Sequence, residues 1–107
     1  MADRVTDRYR AVLDGSLRAV LRVEFTRERR EIVDYSVVLL VDHEEELKVV
    51  RLYDGAHGFN EQHRHTLTRG KQPAERFHPG TLGEGMRDAI RQVRASYEAM
   101  IDSWREG

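Results

Sequence analysis

Three of the five histidines fall within thirteen consecutive residues, Tyr53-Asp54-Gly55-Ala56-His57-Gly58-Phe59-Asn60-Glu61-Gln62-His63-Arg64-His65. Imidazole titrates near neutrality, so a cluster of this kind can both take and give protons under ordinary conditions. One chemistry it suits is metal-free phosphodiester cleavage, in which a neutral histidine takes the proton of an attacking 2′-hydroxyl and a protonated one gives a proton to the leaving oxygen. In that reading His57, His63 and His65 supply acid and base, Tyr53 and Asp54 orient an imidazole, and Arg51 or Arg64 contacts phosphate. A strand over this segment puts His63 and His65 on one face and Arg64 on the other, which leaves Arg51 the better placed arginine. Gly55 and Gly58 bracket Ala56-His57 and mark a tight turn at the start of the cluster.

The same residues carry two further readings. A His-x-His pair with a third histidine and an aspartate offers nitrogen and oxygen ligands for zinc, manganese or iron, at a spacing that permits a metal without specifying one. Alternatively His57 and Asp54 satisfy turn backbone groups while His63 and His65 form a polar strand face. The ribonuclease reading calls for no cofactor. His43 and His78 read as surface residues. The chain has no cysteine, which removes thiol nucleophiles and thiolate zinc sites, and no Walker loop, Gly-x-Gly-x-x-Gly, Gly-x-Ser-x-Gly or His-Glu-x-x-His segment.

The elements that would position this cluster are legible from periodicity. A chain of 107 residues suits one domain, here 1–107. Val5, Tyr9, Val12 and Leu13 have helical spacing, predicting a short helix over Asp3–Asp14. Leu17 to Phe25 alternates as a half-buried strand, and Ile32 to Asp42 reads as a second strand apolar on both faces. The acidic run from Asp42 to Glu46 makes a solvated hairpin connection to a third strand, Leu47–Asp54. Gln62–Arg69 is a fourth, with Gly70-Lys71-Gln72-Pro73 as its turn exit. Thr81-Leu82-Gly83-Glu84 has capping-box spacing, and Met86, Ile90, Val93, Tyr97, Met100, Ile101 and Trp104 form one stripe of a helix over Leu82–Arg105. The expected fold is α+β, an antiparallel four-stranded meander with the long C-terminal helix on one face and a short N-terminal helix. Val38 and Leu40 then lack a covering element, which suggests a protein-interaction module that meets a second copy or a partner chain through the other face.

Eighteen Lys/Arg against nineteen Asp/Glu exclude a strongly basic nucleic-acid module, although the window from Arg51 to Arg76 is mildly basic. The charged N-terminus is unlike a secretory signal and no apolar run is long enough for a membrane span, so a cytoplasmic address without membrane contact is expected.

Tyr53-Asp54-Gly55-Ala56-His57-Gly58, followed by His63-Arg64-His65 and an amphipathic helix, resembles the TumE family of small bacterial toxins from toxin–antitoxin pairs. It equally resembles an uncharacterised group of short bacterial proteins with a Tyr-Asp-x-x-His-Gly-Phe signature. A Tyr-Asp-Asn type segment before a His-x-His pair maps onto Tyr53, Asp54, His63 and His65, with Gly55 in place of the asparagine. The resemblance implies a small toxin, acting on RNA and held inactive by a separate antitoxin protein.

Overall fold

Alternation with a period of two runs through most of the first 78 residues, and in the computed structural model, which describes residues 3–107, it becomes one antiparallel sheet. Its strands are β1 (Arg4–Asp14), β2 (Ala19–Glu28), β3 (Glu31–His43), β4 (Glu46–Asp54), β5 (Asn60–Thr66) and β6 (Gly70–His78), ordered in space as in sequence. The helix α1 (Leu82–Glu106) packs on one face. No helix is long and apolar enough to cross a membrane among the described residues.

On the helix side, Leu21 and Val23 of β2, Val37, Leu39 and Val41 of β3, and Val50 and Tyr53 of β4 are almost wholly buried. They meet Met86, Ala89, Val93, Met100, Ile101 and Trp104 of α1. Each large side chain of that stripe contributes roughly 1.5–3 kcal/mol before entropy is counted. The capping box forms as its spacing predicts: the Thr81 hydroxyl accepts from the Glu84 amide at 3.1 Å, and the Glu84 carboxylate accepts from the Thr81 amide at 3.0 Å.

Among the described residues the sheet has six strands, not the expected four, and Arg4–Asp14, expected as a short helix, is a strand. Val5, Tyr9, Ala11 and Leu13 share strand parity as readily as Val5, Tyr9, Val12 and Leu13 share helical spacing. Pairing with β2 over ten residues decides between them. The supposed turn exit Gly70-Lys71-Gln72-Pro73 instead begins β6. The chain turns earlier, at Leu67–Arg69, where the Thr66 hydroxyl accepts from the Arg69 amide. Pro73 misleads because it can sit on an edge strand without costing a ladder bond. Val38 and Leu40 are each 4% exposed, so neighbouring side chains already shield them. The exposed apolar side chains are Val5, Tyr9 and Val12 on β1, with Leu47 and Leu67.

One buried side chain joins four parts of the molecule. Asn60, with no solvent exposure, accepts from the Tyr35 hydroxyl at 2.7 Å and donates to the carbonyls of His78, Gly80 and Thr81 at 3.3, 3.0 and 3.1 Å. Gly85 of α1 lies directly over it: a Cβ there would come within 1.9 Å of the Asn60 oxygen. Burial pushes the Tyr35 phenol well above its ordinary pKa, so it remains a donor.

Two outcomes follow for urea unfolding. Asn60→Ala should cost roughly 2–3 kcal/mol by stranding buried partners. Gly85→Ala should destabilise by roughly 1–3 kcal/mol despite alanine's better helix propensity, and in the Asn60→Ala background that cost should vanish. Separately, Glu44 and Glu45, the two residues between β3 and β4, have φ of 53° and 69°, as a type I′ turn requires. Glu45→Gly should therefore raise stability by roughly 0.5–1 kcal/mol.

Candidate functional site

The pairing register divides the histidine-rich segment between the two faces of the sheet. Tyr53 lies opposite Gln62 and Arg51 opposite Arg64, all on the helix side. Leu52 lies opposite His63 and Asp54 opposite Glu61, on the open side. Tyr53 is a core residue: its ring edge packs on Phe77 with centroids 5.0 Å apart, and its hydroxyl donates to Gln92 at 3.1 Å. Burial raises its pKa. Arg51 donates to Gln62 at 3.3 Å, and Arg64 pairs with Glu75 at 3.4 Å. Tyr53, Arg51 and Arg64 are thus separated from His63 by the sheet.

On the open side the structure brings together two imidazole–carboxylate pairs. His63, with 12% of its side chain exposed, points Nε2 at the Asp54 carboxylate, 3.8 Å away. Its Nδ1 lies 3.2 Å from the Gln72 carbonyl. A carbonyl can only accept, so Nδ1 carries a proton towards Gln72, while Nε2 faces the Asp54 carboxylate. The Asp54 carboxylate also accepts from the Ala56 amide at 3.2 Å, which closes the turn. That turn continues through Gly58, whose φ of 85° suits glycine.

The second pair is His57 with Glu61, joined at 2.6 Å between Nδ1 and Oε1. The imidazole is 70% exposed and the carboxylate 8%, so His57 acts as the solvent-facing counter-ion of a buried acid. The hydrogen bond to Glu61, and then its charge, raise the His57 pKa. Because Asp54 and Glu61 are direct cross-strand partners, the two pairs share one patch, with backbones about 5 Å apart.

His65 has the parity of His63 but a different setting. The β4–β5 ladder covers only Arg51–Asp54 with Glu61–Arg64, so beyond it the strands part. The resulting gap of about 450 Å³ is lined by His43, Lys48, Val49, His65, Thr66 and Trp104. Burial lowers the His65 pKa, and its Nδ1 has no protein partner.

Three residues of the patch carry no role in a reading of spacing alone. Glu61 is the partner of His57. Lys71 lies opposite His65, and its charge is felt at both His57 and His65. Arg76 lies opposite Glu61, with its guanidinium 3.8 Å above the Phe59 ring. Only the register, which Pro73 obscures, identifies them. No grouping of three His, Asp or Glu side chains able to hold a metal ion occurs among the described residues.

The His57–Glu61 pair gives a pH dependence with a definite sign. A folded-state pKa above the ordinary 6.5 stabilises the protein below that ordinary value, and the stabilisation is lost as pH rises through the raised one. In an NMR titration the His57 ring should titrate above 6.5, and Glu61→Gln should return it towards that value. An unmoved midpoint in Glu61→Gln would mean that the pair does not persist in solution.

No curated protein and no solved structure matches the chain. A family match does extend over residues 3–107, to the family described as "Domain of unknown function (DUF7718)", and the chain belongs to that family.

Proposed function

We propose that this protein is a small metal-independent ribonuclease, toxin-like and restrained by a separate antitoxin. The observation that carries the reading is the pairing of two imidazoles with two carboxylates on one patch of the open sheet face. His63 donates from Nδ1 to the Gln72 carbonyl, which leaves Nε2, beside Asp54, as the nitrogen that exchanges a proton with substrate. His57 is held towards its protonated form by Glu61. Acid–base catalysis needs one group that takes a proton and one that gives it, and in this reading His63 and His57 fill those roles.

In the proposed reaction Nε2 of His63 takes the proton of a ribose 2′-hydroxyl, and Asp54 stabilises the imidazolium that forms. The 2′-oxygen bonds to phosphorus, the bond from phosphorus to the 5′-oxygen breaks, and His57 gives its proton to that oxygen. The products are a 2′,3′-cyclic phosphate and a free 5′-hydroxyl. Lys71 supplies positive charge next to the reacting group, the role that spacing alone assigns to Arg51 or Arg64. His65, whose protonation burial disfavours, borders the site and is given no proton-transfer role.

Purified protein incubated with single-stranded RNA in EDTA should release cyclic-phosphate ends, and His63→Ala should slow this by roughly 10²–10⁴-fold. Lys71→Ala should reduce the rate more than Arg64→Ala does. No cleavage, or cleavage indifferent to His63→Ala, would overturn the reading. Activity that appears only with added manganese or zinc would replace it with a metal-dependent one.

A further inference from the structure

The open face carries a second charged feature, far from the histidines in sequence. Arg10 of β1 and Arg22 of β2 are direct cross-strand partners, both exposed, and neither has an ion-pair partner among the described residues. Like charges directly opposite are destabilising, and no carboxylate offsets this pair. The nearest acid, Glu24, lies in the next row and is engaged by Arg8 at 3.7 Å. A cavity of about 630 Å³ opens here, lined by Arg8, Tyr9, Arg10, Arg22, Glu24 and Ser36.

The register connects these arginines to the proposed catalytic patch. Arg10, Arg22, Val38, Leu52, His63 and Ala74 are successive partners across all six strands and form one row on the open face. Arg22 and His63 are three strand spacings apart, about 14 Å. A smaller cavity of about 240 Å³ borders the first at Glu24 and Ser36 and is lined further by Asp34, Leu52 and Asp54, so its carboxylates lie to one side of the arginine row. In the adjacent row Glu24, Ser36, Asp54 and Glu61 lie between Arg8 and Arg76, so its middle is acidic and its arginines stand at the two edges of the sheet. A polyanion is therefore directed along the row that has two arginines at one end, an apolar floor of Val38 and Leu52, and His63 at the other.

We infer that Arg10 and Arg22 form a phosphate subsite that holds the backbone of a single-stranded RNA laid across the sheet, with its reacting linkage at His63. This rests on the ribonuclease reading for its substrate, while its geometry stands on the arginine pair and the shared row. Bound phosphate would relieve the repulsion between the two guanidiniums, so binding and fold stability are coupled.

The test uses a fluorescently labelled single-stranded DNA oligonucleotide, which has no 2′-hydroxyl and cannot be cleaved. Wild-type protein should bind it, and R10Q/R22Q should bind roughly tenfold more weakly or worse. The slope of log affinity against log salt should shrink by about 0.7 for each phosphate that the substituted side chains no longer neutralise. Without ligand, R10Q/R22Q should melt at the wild-type temperature or above it, since it removes a repulsion. Wild-type and R10Q/R22Q protein that bind equally, or a wild type that does not bind, would overturn the subsite, the second result favouring an acidic protein partner for these arginines. Binding abolished in R10Q/R22Q, in a protein that cleaves no RNA, would keep the subsite and discard the nuclease.

Discussion

The amide of Asn60 is the constraint on which the rest of the structure depends. A fully buried amide must satisfy an acceptor and two donor hydrogens, and Asn60 does so with Tyr35 on β3, the His78 carbonyl at the end of β6 and the Gly80 and Thr81 carbonyls before α1. Gly85 makes room for it, so the first turn of α1 is set over this side chain and the long helix has one position on the sheet. The loop bearing His57 is fixed at both ends by the same arrangement. Asn60 anchors the far end, and the Gly55 amide donates to the Tyr35 carbonyl at 3.3 Å at the near end. Tyr35 therefore holds both ends of the loop, through its hydroxyl and its backbone.

The sheet acts as a partition. Tyr53 and Asp54 are neighbours in sequence, yet one is core and the other belongs to the histidine patch, because successive strand residues face opposite ways. The same holds for Arg64 between His63 and His65. A cluster that is dense along the chain is halved in space, and the residues that complete it come from β6, across the ladder. Lys71 and Arg76 reach the patch by pairing with β5, not by proximity in sequence.

Legibility in the sequence follows the same physics. The α1 boundaries, its cap and its buried stripe are readable because a capping box and a sustained 3.6-residue period are local signals. The third expected strand, β4 in the structure, ends at Asp54 as its pattern predicts. The β1 segment reads wrongly as a helix because Val5, Tyr9 and Leu13 fit both periods, and only β2 selects one. β6 escapes a sequence reading because Ala74 to Phe77 offers little alternation and Pro73 reads as a break. The shared parity of His63 and His65 is legible, and Arg64's opposite orientation with it. The Glu61 partner of His57 and the row that joins Arg22 to His63 are not, since both depend on a register no single segment encodes.

That dependence on register explains how a chain with a formal net charge of −1 can present a surface suited to a polyanion. Charges on an antiparallel sheet are sorted into rows by pairing, and two adjacent rows can differ in sign while composition stays balanced. Here one row runs from paired arginines over apolar residues to His63, and its neighbour gathers Glu24, Asp54 and Glu61 between Arg8 and Arg76 at the sheet edges. Asp54 and Glu61 serve the histidines, as a carboxylate for His63 and a counter-ion for His57, and the arginines stand two strands or more from both. Interactions beyond about a Debye length, 8–10 Å, are largely screened at the surface. A basic subsite and an acid-backed catalytic patch can thus share one face without cancelling, and the distance that keeps them apart is set by β3 and β4, the strands that Tyr35 and the core hold in place.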